Sequence, residues 1–107
     1  MIMGVRENRV ETYLKKQIKL LGGQSFKWVS PGLHGVPDQI VILKGVVWFV
    51  EVKTLDGKLS IQQARRRKDL QNLDANVTVV HGNQSVDKFI NKLKQEVLNA
   101  SAKFQKK

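Results

Sequence analysis

The sequence predicts an α/β domain organised on a central β-hairpin. Two apolar, β-branched runs, Gln39 to Leu43 and Val46 to Val52, flank a lone Lys44-Gly45 step, the pattern of two strands joined by a two-residue turn. Apolar stripes at helical spacing lie before and after that hairpin, and further short β-branched runs stand among them, an alternation that suits helices packed on a sheet. At 107 residues the chain has room for one domain with a core of its own.

Taken in order, Val5 to Leu21 reads as a first helix, with Val10, Leu14, Ile18 and Leu21 as its stripe and Gly22-Gly23 as its stop. Ser25 to Val29 is a first strand, in which Trp28 is expected in the core. The loop Ser30 to Pro37 follows, with two glycines and both prolines of the chain, a composition that holds one shape. After the hairpin, Thr54 to Lys58 is a turn, and Ser60 caps a helix from Ile61 to Leu73. Asn76 to Val80 is a last strand, and His81-Gly82-Asn83 turns out of it. A helix from Val86 to about Ala100, capped by Ser85, presents Val86, Phe89, Ile90, Leu93 and Val97, and residues 101–107 form a basic, flexible tail.

Within the hairpin, a two-residue turn makes opposed positions sum to 89, so Val41 faces Trp48, Ile40 faces Phe49, and Asp38 faces Glu51. Ile40, Ile42, Val47 and Phe49 line one face and Val41, Leu43, Val46, Trp48 and Val50 the other, which implies a hairpin covered on both sides. Two carboxylates directly opposed on a strand pair destabilise it unless something offsets them. Lys53 projects from the same face as Glu51. Hard oxygen ligands beside an ammonium suit Mg²⁺-assisted phosphodiester hydrolysis. The plainer alternative is that Asp38 and Glu51 mark the solvated end of the hairpin, with Lys53 as a surface partner.

Charge points the same way. Nineteen basic residues against nine acidic ones give a net charge of +10, and such an excess suits a polyanionic partner, nucleic acid first. No apolar run is long enough to span a bilayer, and no basic amphipathic helix with an aromatic face stands out, so a membrane partner is not expected. Without cysteine there is neither a disulfide framework nor a thiolate metal site. The first residues lack the apolar core of a secretory signal, and the expected location is cytoplasmic.

A PD pair followed a dozen residues later by E-x-K on an apolar strand is the signature of the PD-(D/E)xK nuclease superfamily. The fuller set, SPGLHGVPD, WFVEVK and KLSIQQ in this order, resembles the VRR-NUC family, in particular its small stand-alone phage members, from about Glu7 to about Val80. PD and E-x-K alone are short motifs; joined to the flanking segments at family spacing they are specific.

The resemblance implies a restriction-endonuclease-like core of order α-β-β-β-α-β-α with a central mixed sheet. It implies a metal-dependent DNA endonuclease with Asp38, Glu51, Lys53 and Gln63 as catalytic residues. Mg²⁺, or Mn²⁺ in its place, would be held by Asp38, Glu51, the carbonyl of Val52 and an acid from the first helix. On a helical wheel Glu11 falls within about 20° of Ile18, with Glu7 one turn above; Glu11 is the expected acid and Glu7 the alternative, while pairing of Glu11 with Lys15 is the plainer use of that side chain. Lys27, His34 and the run Arg65, Arg66, Arg67 and Lys68 are the expected DNA contacts. No organic cofactor is implied. The small stand-alone relatives are associated with four-way (Holliday) junction cleavage, and one site per chain implies a homodimer for paired cuts, with Tyr13, Leu20, Leu98 and Phe104 as candidate interface residues. A monomeric flap or non-specific nuclease, and a DNA-binding module without chemistry, are the alternatives.

Overall fold

The hairpin forms about its expected turn. Lys44 and Gly45 both take positive φ, 48° and 82°, the left-handed pair that matches a two-residue turn to the twist of its strands. In the computed structural model, which describes residues 5–105 and the side chains of residues 6–101, the elements are α1 (Val5–Leu20), β1 (Gln24–Lys27), β2 (Gln39–Leu43), β3 (Val46–Lys53), α2 (Ile61–Asn72), β4 (Val77–His81) and α3 (Gly82–Gln105). This is the expected order. The sheet runs β1-β2-β3-β4, antiparallel in its first two pairings and parallel between β3 and β4, so it is mixed, with α2 as the crossover that a parallel pair requires.

The register also follows the turn: Leu43 pairs with Val46, Val41 with Trp48 and Gln39 with Val50. One face of the sheet is buried beneath α1 and α3. There Leu14 and Ile18 of α1 meet Val41, Val50, Val52 and Val80 of the strands and Val86, Phe89 and Leu93 of α3. Trp48 packs edge-on against Phe89 with centroids 5.5 Å apart, donates its indole N–H to Glu96 at 3.0 Å and lies beneath the Lys92 ammonium. The Tyr13 hydroxyl donates to Asp87 at 2.6 Å and so ties α1 to α3.

Several expectations are corrected. The hairpin is fully covered on one side and only partly on the other: on the outer face Ile42 and Val47 are each 37% exposed and Phe26 beside them 43%, whereas Glu51 at the far end of that face is buried. The cause lies in α2, the one helix on that side, which has no buried residue and therefore no apolar stripe with which to cover a face. Trp28 packs on this outer face against Phe49, centroids 5.2 Å apart, outside the main core. The first strand is Gln24–Lys27 and ends before Trp28 and Val29. α3 begins at Gly82, directly after β4, and runs to Gln105; a single positive φ at Gly82, 76°, turns the chain, so Ser85 lies inside the helix and 101–105 extend it. Of the candidate interface residues, Tyr13 is half-buried with its hydroxyl on Asp87, and Leu20 and Leu98 are exposed. The side chain of Phe104 lies outside the described residues.

One-sided burial sets the energetics. Leu14 is fully buried and Ile42 is not, so Leu14→Ala is expected to cost about 2–5 kcal/mol and Ile42→Ala less than half of that loss. Urea denaturation of the two variants checks this; equal losses would mean that the outer face is covered in solution.

Candidate active site

The turn register carries Asp38 to a position one residue before β2, opposite Glu51 of β3. Two hydrogen bonds hold Asp38 there. Its Oδ2 accepts from the Val52 N–H at 2.9 Å, and its carbonyl accepts from the Trp28 N–H at 2.9 Å. Glu51 beside it is 4% exposed, and neither of its buried oxygens has a hydrogen-bond partner among the described residues. Burial is the main reason its carboxyl is pushed up to about 9; the adjacent Asp38 carboxyl adds to the shift, Lys53 opposes it and Glu7 adds a further like charge. An ionised carboxylate can only accept. The pair is therefore satisfied by a shared proton or by a cation.

The loop between β1 and β2 closes the site against α2. Gly35 has φ +89°, and a Cβ on it would come within 2.4 Å of the Gln62 carbonyl group and 2.7 Å of the Gln63 nitrogen. Only glycine permits that approach. Ser60 caps α2 as expected, accepting from the Gln63 N–H at 3.1 Å, while Gln63 Oε1 accepts from the Ser60 N–H at 2.9 Å, a reciprocal capping box. With Oε1 held in the cap, the Nε2 amide of Gln63 is its remaining polar group toward the site.

The result is a cleft of about 310 Å³ whose lining includes Glu7, Lys27, Trp28, His34, Asp38, Lys53 and Gln63. Arg67, one turn beyond Gln63 on α2, lines a narrower space beside Glu51 with Gly35, Pro37 and Val79. Acids and a lysine thus meet at the end of an otherwise apolar hairpin.

No protein-family model matches the chain. A protein of Acyrthosiphon pisum secondary endosymbiont phage 1, named "Putative nuclease p44", is 38% identical over 77 residues, which cover 71% of this chain and 83% of the relative. A solved structure described as a VRR_NUC domain superposes with a TM-score of 0.76 and 37% identity, over 82% of this chain and 97% of that one. The chain belongs to the VRR-NUC family.

Within this VRR-NUC fold, Asp38, Lys53, Gln63, Lys27 and His34 share the cleft, and Glu51 lies buried beside it. Glu11 does not join them. It is buried on the opposite, helix-covered side, where it accepts a hydrogen bond from Gln39 Nε2 and pairs with Lys15 at 3.7 Å. Gln39, fully buried, also takes the Ser25 hydroxyl hydrogen on its Oε1 at 2.9 Å, so Glu11 belongs to an internal polar relay. Glu7, one turn earlier on α1, is the helix acid that reaches the cleft. Gln39 was the missed signal: it is the polar residue among inward-facing Val41 and Leu43, and such a group needs a partner. Val52 meets the pair through its N–H. Of the basic run, Arg66 pairs with Asp69 at 3.4 Å, Arg67 faces the space beside Glu51, and Arg65 and Lys68 are exposed and do not line the cleft. The Nε atoms of Arg66 and Arg67 are buried without a partner among the described residues.

The donor set fits a hard divalent cation. Among the described residues no three Asp, Glu or His side chains converge as a complete metal cage, and Mg²⁺ is commonly held by one or two carboxylates with water completing its shell. The two orphaned Glu51 oxygens beside Asp38 supply that arrangement.

A raised carboxyl pKa also has a signature in stability. Between 4.5 and about 9 the folded protein keeps a proton on Glu51 that the unfolded chain has released, so the stability of the metal-free protein falls as pH rises through that window. In EDTA, the melting temperature is expected to drop from pH 5 to pH 9 more steeply in the wild type than in Glu51→Gln. Parallel profiles would show that the carboxyl at 51 is not held protonated by its surroundings.

Proposed function

We propose that this VRR-NUC protein is a Mg²⁺-dependent, structure-specific endonuclease that hydrolyses DNA phosphodiester bonds at four-way junctions, acting as a homodimer. The reading rests above all on the buried, donorless carboxylate of Glu51 beside Asp38. Asp38 and Glu51, with the carbonyl of Val52, would hold the ion, and Mn²⁺ could take its place. When bound, the ion polarises the phosphate and lowers the pKa of a water. Lys53, which lines the cleft, orients the attacking water and stabilises charge developing on the phosphate. Gln63 offers its Nε2 amide to a non-bridging oxygen, its Oε1 being fixed by the cap. Glu7, which lines the cleft, would be the acid of α1 beside the ion. Lys27, His34 and Arg67 are the phosphate contacts beside the site.

The net charge of +10 supports a polyanionic substrate. One such site per chain supports two protomers, because symmetric cuts in two strands need two sites related by a two-fold axis. Leu20 at 72% and Leu98 at 62% exposure are apolar positions available to such an interface. The phage relative supports action in the cytoplasm of a host cell, and no described helix is long and apolar enough to cross a membrane.

The assay is incubation with linear, flapped and four-way DNA in Mg²⁺, Ca²⁺ and EDTA. Paired, symmetric incisions near the junction centre in Mg²⁺ alone are expected, with a dimer by light scattering. A monomer that prefers flaps would favour the alternative of a flap nuclease, and binding without cutting in any metal would sink the enzyme reading.

Asp38→Asn and Glu51→Gln are each expected to lower cleavage by at least ~100-fold while DNA binding persists, in line with losing one electrostatic catalytic group. Lys53→Ala is expected to remove turnover and leave Mg²⁺ binding intact. Arg67→Ala is expected to weaken DNA affinity and lower its salt slope by about one contact. Near wild-type cutting by Glu51→Gln would refute the assignment of that residue.

A further inference from the structure

A second hollow, of about 440 Å³, opens between the amino end of α1 and the carboxyl ends of β3 and β4, and its lining includes Arg6, Arg9, Thr54, His81 and Asn83. None of these residues is needed for the cleft chemistry above. Arg6 and Arg9 are three positions apart on α1 and so share one face of it. Both are exposed. Arg9 has no ion-pair partner among the described residues. Arg6 lies near Asp56, whose carboxyl is held low by its own backbone N–H, by Thr54 and, after these, by Arg6. His81, at the end of β4, has Nδ1 3.2 Å from the Thr54 carbonyl; a carbonyl only accepts, so Nδ1 donates and the ring is held in place. The hollow thus sets two guanidinium groups of α1 beside the ends of β3 and β4 around an open space.

Its position gives that charge a use. Arg6 lines the hollow and Glu7 the catalytic cleft; Thr54 lines the hollow and Lys53 the cleft. Sequence neighbours on both elements thus line the two spaces, and neighbouring Cα atoms lie ~3.8 Å apart. A nucleic-acid strand advances about 3.4 Å of axis per phosphate, so a strand with its scissile phosphate at Lys53 brings a neighbouring phosphate to the hollow within a few nucleotides. The cleft itself carries Glu7, Asp38 and, beside it, Glu51, which repel the rest of the backbone. The strand needs a cationic seat close by.

We propose that the hollow between α1 and the ends of β3 and β4 seats a backbone phosphate of the cleaved DNA strand, next to the scissile one, on Arg6 and Arg9. The proposal rests on the nuclease reading and extends it by fixing the path of the strand: from the cleft, over the Lys53-Thr54 step, to the carboxyl end of β4. Arg6 and Arg9 then bind the flanking phosphate and act on positioning, not on the chemical step.

The test uses Asp38→Asn protein, expected to bind without cutting, and four-way junctions carrying one neutral methylphosphonate linkage stepped along the strand. One linkage flanking the cut is expected to cost about 10-fold or more in affinity, as loss of a charged phosphate contact does. In Asp38→Asn/Arg6→Ala/Arg9→Ala that cost disappears at this linkage alone, and the salt slope falls by about one for each arginine removed. Both arginines are exposed, so the melting temperature should be unchanged, and lysine at both positions should restore much of the binding. A methylphosphonate profile that is the same with and without the arginines overturns the proposal. So does a hollow in which inorganic phosphate, at matched ionic strength, raises the melting temperature through Arg6 and Arg9 while that profile stays flat, because the site then serves a free anion. If the Asp38→Asn protein binds no DNA at all, the nuclease reading falls as well; if it binds with an unaltered profile, only the hollow's role falls.

Discussion

Asp38 and Glu51 are forced side by side at the end of an apolar hairpin, and Glu51 is buried where no donor reaches it. A lone buried carboxylate is among the costlier groups a fold can carry. Every neighbouring feature serves to keep it there. The Lys44-Gly45 turn sets the register that opposes the two acids, the Val52 N–H pins Asp38, and the Gly35 approach lays α2 against the loop so that Gln63 and Arg67 look toward the pair. Local consistency is broken at this point, which is where function is expected to reside.

Charge is arranged on two scales. The chain as a whole is strongly cationic, yet the cleft and its margin gather three carboxylates, Glu7, Asp38 and Glu51. A polyanion drawn to the molecule by its general field would be repelled at the cleft unless a cation intervened. The proposed divalent ion would reconcile long-range attraction with local acidity, and that need links the composition of the chain to the geometry of a few residues.

Much of this was legible in the residues themselves. Register, turn, the Ser60 cap and the clustering of Asp38, Glu51 and Lys53 follow from short-range rules, alternation and turn chemistry, which act within a few residues. What escaped depends on how separate elements meet. Both Glu7 and Glu11 point from α1 toward the sheet, and only the position of that helix over the strands decides that Glu11 meets Gln39 while Glu7 reaches the cleft. The partial cover of the outer face was not legible because alternation alone says that Ile42 and Val47 are apolar, not what covers them; the composition of α2, without an apolar stripe, held the answer. The start of α3 was lost to a single positive φ at Gly82, which makes a turn where three residues looked necessary.

The central claim is that a divalent cation completes the Asp38 and Glu51 pair. Calorimetric titration of Mn²⁺ into the wild-type protein at neutral pH, repeated in buffers of different ionisation enthalpy, measures both the binding and the protons released. Binding that expels about one proton in the wild type, and that weakens and expels none in Glu51→Gln, is the predicted result. Equal affinity and equal proton release in the two proteins, or no binding to either, would contradict it.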